Sequence, residues 1–336
     1  MKARKVTAFR ERGRGSVLVI CVWIVTILVL LAISIGRRAS FESRILRYHL
    51  SRAQAYYLAR SALERVYLEK AADKSVDYDY LREDWSNKLK ADGSPEFKDF
   101  PLGSGTFTIK YAYPKSEKSF YGMQDEQSKI NINTIVDSSG KEIKERRDEF
   151  VKLLEGLGYD AELADKFIDW IDSNDDGLYE ERYYSGQGLK PKNAPLDRLE
   201  ELIMIDGFTP GIIDAIAPQV TVYGNDGKIN INTASKEVLL GLGFNDEKEA
   251  SVILNYRNEG KAIKEIISSP ATCDFLDDGK LCLESGSGVK LERLICKSEV
   301  YRASSFGTMN NVTKKITTVV EIKSGQAPKQ LYWYEE

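Results

Sequence analysis

Residues 17–35 read VLVICVWIVTILVLLAISI, a run of nineteen residues without a formal charge. At about 1.5 Å of rise per residue this makes roughly 28 Å of helix, enough to cross the hydrocarbon core of a bilayer. The residues before it, MKARKVTAFRERGRG, hold six Lys or Arg against one Glu. Such a leader favours an N-terminus held in the cytoplasm. Arg37, Arg38, Arg44, Arg47 and Arg52 beyond the run pull the other way. Arg37 and Arg38 follow the run directly and no Ala-x-Ala site follows it, so a removable secretory signal fits poorly.

The helical pattern continues past the apolar run. Residues 41–72 contain neither Pro nor Gly and are rich in Ala, Leu, Arg and Glu, all good helix formers. Leu46, Leu50, Ala53, Tyr57, Ser61, Ala62, Val66 and Tyr67 recur near helical spacing. The expectation is one continuous helix over about 17–72, apolar all round at its start and buried on one face at its end. A net charge of −3 supplies no basic excess for nucleic acid, and a single histidine, His49, leaves no His-based metal or triad chemistry. No catalytic constellation stands out.

Beyond the helix, residues 73–100 are polar and mixed in charge, and helix plus loop is expected there. Phe107, Ile109 and Tyr111 alternate with polar residues through 104–114, the period of a half-buried strand. A second strand is expected near 120–133. EVYRASSFGT, KKITTVVEIKS and KQLYWYEE read as three closing strands of an antiparallel meander. The middle, 134–297, reads as a mainly helical insertion. KININT occurs at 129–134 and again at 228–233. Each copy is followed by a helical run, a glycine pair (Gly156 and Gly158, Gly241 and Gly243) and a second helical run. A looser third copy spans 196–218.

The sharpest local motif is DSNDDGLYEER, 172–182. Asp172, Asn174 and Asp176 at alternate positions, followed by Gly177, are the opening half of a calcium loop. Leu178 offers a backbone oxygen, and Glu180 or Glu181 could close the site. The closing position of an EF-hand is Tyr183 here, so a standard hand is not expected. Asp277 and Asp278 before Gly279 are a second, weaker candidate. Of Cys273, Cys282 and Cys296, two could pair in any of three ways outside the cytoplasm, and Cys273 with Cys282 closes the shortest loop.

A basic leader ending in Gly, then a small residue, an apolar run and a long amphipathic helix resembles the leader of type IV pilins and type II secretion pseudopilins. In that family prepilin peptidase cuts after the Gly, which here implies the Gly15–Ser16 bond and a methylated Ser16. Most members carry Glu as the fifth mature residue; here it is Ile20. That absence, with KININT, DWIDSNDD, ELIMIDGFTP, APQVTVYG and KININTAS in order, resembles the K-type minor pseudopilin over about 16–322. The resemblance implies an α+β fold. A long pilin helix packs on an antiparallel sheet that carries a large insertion of helix-hairpin-helix or SAM-like repeats. The implied parts are a leader at 1–15, the helix at 16–72, a pilin-like domain at 73–133 and 298–336, and the insertion at 134–297. It also implies structural calcium in the insertion and a place in the inner membrane with the C-terminal domain in the periplasm. The implied partners are I- and J-type minor pseudopilins at the pseudopilus tip, an inner-membrane assembly platform, prepilin peptidase and secreted cargo. The hairpins alone also resemble competence DNA receptors, but Asp160, Glu162, Asp165, Asp246, Glu247 and Glu249 around them repel phosphate.

Overall fold

The computed structural model describes residues 14–73, 77–112, 119–174, 176–186, 188–269, 274–284 and 288–336. The chain divides into two compact units, one ending at Gln54 and the other opening at Ala55. Helix α1, Arg14–Ala71, runs through that boundary. In the first unit the large apolar side chains of Val17–Ile35 are all exposed. Thr26, a polar residue within the run, turns its hydroxyl back onto the Val22 carbonyl at 2.6 Å, so it leaves no unmatched donor on that surface. An exposed apolar surface of this extent is unstable in water and calls for lipid or another helix around it.

In the second unit α1 buries Ala55, Leu58, Ala59, Ala62, Leu63 and Val66. Of the stripe expected, Ala62 and Val66 are buried, whereas Tyr57 is exposed, and Leu46 and Leu50 are exposed in the first unit. Small residues decide the choice. They let α1 approach the sheet closely enough that a Cβ on Gly307 would collide with the Ala55 carbonyl, and Ser305 donates to the Ala59 carbonyl at 2.8 Å.

The sheet lies under that stripe. It comprises β1 (Phe100–Leu102), β2 (Gly105–Ala112), β3 (Ser119–Tyr121) and β4 (Gln124–Asp125), then the three closing strands. The expected strand over 120–133 is broken. Asp125 caps a 3-10 turn at Glu126–Ser128 by accepting from the Gln127 amide at 2.8 Å. The chain then leaves the sheet as β5 (Ile130–Asn131), which pairs in parallel with β6 (Val220–Thr221). No helix forms in the described part of 73–100. Its residues make turns and isolated bridges, Leu89 with Pro95 among them, and Ser94 donates to Asp92 in a local turn.

The insertion contains α2 (Lys144–Gly156), α3 (Glu162–Ile171), α4 (Glu181–Ser185), α5 (Pro210–Ile216), α6 (Lys236–Leu242) and α7 (Ser251–Asn258). It is less purely helical than expected. Strand β7 (Ile229–Asn230) pairs in parallel with β11 (Leu294–Ile295), and β8 (Glu265–Ser269), β9 (Leu276–Asp277) and β10 (Lys280–Glu284) form a small sheet. The closing strands β12 (Val300–Met309), β13 (Val312–Glu321) and β14 (Lys329–Glu335) form the expected antiparallel meander. The order across the main sheet is β1-β2-β12-β13-β14, with β3 on β2 and β4 on β12.

The two KININT copies fold alike. Asn133 bonds both the carbonyl and the amide of Leu196, each at 2.8 Å. Asn232 does the same to Ile263, at 2.8 and 2.7 Å. The helix that follows each copy ends on a left-handed glycine, Gly158 at φ +83° and Gly243 at φ +102°. Tyr159 and Phe244 then donate back to Leu154 and Leu239, the bond that closes a Schellman turn. Helices α2 and α6 bury Phe150, Leu153, Val238 and Leu239 in one core.

The insertion and the sheet meet across buried polar groups. Asp125, 1% exposed, accepts from Ser298 Oγ at 2.6 Å, Thr233 Oγ1 at 2.5 Å and Asn230 Nδ2 at 3.1 Å. Asp79 beside it takes the Ser298 amide at 2.7 Å, the Tyr301 hydroxyl at 2.8 Å and the Lys70 ammonium. Burial pushes the Asp125 carboxyl up to about 6, against the donors of Ser298 and Thr233 that draw it down.

The repeat predicts unequal mutational costs. Asn232→Ala leaves a buried amide and carbonyl of Ile263 unpaired, a loss of about 2–3 kcal/mol. Lys228→Ala, at an exposed position, changes stability by under ~0.5 kcal/mol. Denaturant midpoints of the detergent-solubilised chain measure both. A cost under ~1 kcal/mol for Asn232→Ala would show that the paired contact contributes little.

Candidate metal centre

The acidic loop follows α3 because that helix runs out of apolar residues at Ile171. Asp172 caps it in extended backbone, and its amide still bonds the Ile168 carbonyl. Asn174 donates to Asp172 Oδ2 at 2.5 Å and accepts the Asp176 amide at 2.7 Å, which curls the chain. The loop returns over α3. Tyr179 offers its amide to Asp169 Oδ2 at 2.9 Å and its hydroxyl to Glu162 at 2.7 Å. Gly177 is required here, since any Cβ would collide with the Asp169 carboxylate.

This fold-back gathers three carboxylates. Asp169, Asp172 and Glu180 each place an oxygen within 4.8 Å of the others. Asp172 and Glu180 are 4% and 7% exposed. Asp172 Oδ1 is buried without a hydrogen-bond partner. Burial first, then the charge of Asp169, raises the Asp172 carboxyl to about 6. Burial also raises Asp169. Three crowded, half-dry carboxylates with an orphaned oxygen suit a hard cation that takes oxygen ligands, calcium before a softer metal.

The sequence motif is thus only partly the geometric cluster. Asp172 and Glu180 converge, and Asn174 orients Asp172. Asp176 is exposed, and the Leu178 side chain is 83% exposed. Glu181 pairs with Lys190 at 3.0 Å. Asp169 was missed. It lies three residues before Asp172 on the last turn of α3, and that i, i+3 spacing was the available signal. Asp277 ends β9 and Asp278 turns at φ +39°; neither joins an acidic cluster among the described residues. The other such cluster, Asp73, Asp79 and Glu83, already holds a cation: Lys70 donates to Asp73 at 2.9 Å and to Asp79. Cys282 is disulfide-bonded, while Cys21 and Cys296 are free. Cys273 lies outside the described residues.

A long apolar N-terminal helix, an antiparallel sheet and an insertion between β4 and β12 make up an α+β fold. Residues 128–225 match the family described as type II secretion system (T2SS), protein K. A chain in the crystal structure of the GspK-GspI-GspJ complex from the enterotoxigenic Escherichia coli type 2 secretion system shares the fold. The TM-score is 0.63 at 16% identity, covering 87% of this chain and 99% of that one. No curated protein sequence matches.

The raised carboxyl sets a pH dependence. Without an ion, a carboxyl raised by burial costs stability as pH climbs from about 4 through 6, because the folded state retains the proton. A cation displaces that proton, so its affinity grows over the same range and levels off above about 6. Calcium is expected to raise the melting temperature at pH 7.5 and much less at pH 4.5. Asp172→Asn should abolish the increment, as read by calorimetry. An equal increment in that variant would exclude this site.

Proposed function

We propose that the chain is a minor pseudopilin of the K type, made as an inner-membrane precursor and incorporated at the tip of a periplasmic pseudopilus, where it helps start assembly. The observation that carries this reading is the exposed apolar surface of Val17–Ile35 on a chain whose residues 128–225 match type II secretion protein K. Apolar packing explains how one segment serves two states. In lipid, Val17–Ile35 sits among acyl chains; in a filament, the same surface packs on neighbouring helices. The work is assembly rather than bond chemistry.

Processing follows from the same segment. Prepilin peptidase cuts between Gly15 and Ser16, which fall in the first turn of α1, and the new amine of Ser16 is methylated. Ile20, in place of the usual Glu, offers no carboxylate to the N-terminal amine of a subunit ahead, which suits a subunit with none ahead of it. A buried carboxylate in lipid is costly when unpaired. Partners in this reading are the I- and J-type minor pseudopilins, the inner-membrane assembly platform and secreted cargo. The N-terminus stays in the cytoplasm and the C-terminal unit lies in the periplasm, where calcium fills the Asp169–Asp172–Glu180 centre.

Mass analysis of the N-terminal peptide from the membrane form tests the reading. The expected species starts at N-methyl-Ser16. Gly15→Ala should leave the precursor uncut and remove co-purification with the I- and J-type subunits. A chain cut beyond Arg38, or one that retains Met1 in the assembled complex, would end the pseudopilin reading.

A further inference from the structure

The sheet face opposite α1 carries a second constellation. Gln124 of β4, Arg302 of β12, Val319 of β13 and Tyr332 of β14 are successive cross-strand partners. Opposed residues project on the same face, so these four stand in one row. Lys129 and Tyr223 close over the row and leave a cavity of about 240 Å³.

Lys129 and Arg302 line the cavity together with one exposed acid, Glu200, and Glu126 lies behind them. Glu126 is fully buried, and its Oε1 takes both Lys129 Nζ at 2.9 Å and Arg302 Nε at 2.5 Å. Its Oε2 takes Thr221 Oγ1 at 2.5 Å. Two cations thus share one carboxylate. Burial pushes the Lys129 ammonium down; Glu126 opposes that, and the neighbouring Arg302 adds to it.

Donors remain unused. Among the described residues the two terminal nitrogens of Arg302 have no protein acceptor. The Gln124 side chain, 8% exposed, has no protein hydrogen-bond partner among the described residues and opens onto the cavity. The hydroxyls of Tyr223 and Tyr332 face the same situation. A guanidinium with its free fork, a buried amide and two phenols converging on one cavity form an anion site.

We propose that this cavity binds the carboxylate of an acidic side chain presented by a docking protein. The planar fork of Arg302 matches a carboxylate in two parallel bonds. Lys129 and Arg302 share Glu126, and Glu200 at the rim balances the second cation, so the fork suits a monoanion and the site disfavours a dianion such as phosphate. The argument rests on these residues and stands apart from the pseudopilin reading.

The test uses the full chain in detergent micelles and ligand-observed NMR. The probes are N-acetyl-glutamate α-amide, its glutamine counterpart and inorganic phosphate. The glutamate probe should bind saturably and roughly ten-fold tighter than the glutamine probe. Arg302→Lys keeps the charge and a donor for Glu126 but removes the fork; Gln124→Leu keeps size and breaks no protein hydrogen bond. Each should weaken the glutamate probe by roughly ten-fold. Should Arg302→Lys fail to fold, Gln124→Leu decides. Equal binding of the two amino-acid probes, tighter binding of phosphate, or wild-type binding by a folded Gln124→Leu variant overturns the proposal.

Discussion

Asp125 is the residue on which the soluble unit turns. A carboxylate withdrawn from water is costly unless donors surround it, and here they come from separate stretches of chain. Thr233 and Asn230 belong to the second KININT copy, Ser298 to the segment returning from the insertion, and Gln127 to the turn that Asp125 itself caps. The same Ser298 offers its amide to Asp79, whose other oxygen holds the ammonium at the end of α1. Helix, sheet and insertion therefore share one dry hydrogen-bonded junction. Residues 55–336 form one compact unit, although the apolar cores of the sheet and the insertion are separate.

The repeat shows how one motif can take two structural roles. In both copies the later asparagine clamps a distant backbone segment, Leu196 or Ile263. The earlier asparagines have diverged: Asn131 bonds the carbonyls of Tyr223 and Gly224, while Asn230 bonds Asp125 and Ser298. Lys129 is buried against Glu126, whereas Lys228 is exposed. The first copy thereby forms the charged wall of the cavity on the sheet, and the second copy forms the junction.

Charge is placed by sign. Acidic groups gather where α3 runs out, and basic groups gather on the open sheet face. At the first site an Asp172 oxygen is buried without a partner; at the second, Arg302 and Gln124 border an open cavity.

Patterns carried by neighbouring residues were legible in the residues themselves. The uncharged run from Val17 to Ile35, the closing meander and the paired glycines after each KININT all depend on local periodicity or on a single backbone conformation. The stripe α1 buries was half legible: Ala62 and Val66 follow from the spacing, but Tyr57 was chosen by hydrophobicity while Ala55 and Ala59 were passed over. The close approach of Gly307 to Ala55, a contact across some 250 residues of chain, selects small residues instead. The metal cluster was half legible: Asp172 and Glu180 lie in one loop, but Asp169 joins them only when Tyr179 folds that loop over α3. Asp125 and Gln124 carried no signal, since β4 is two residues long and its neighbours come from distant segments. Local periodicity and turn chemistry follow from the order of residues; which buried charge finds which partner depends on where distant backbone passes, and only the folded chain decides that.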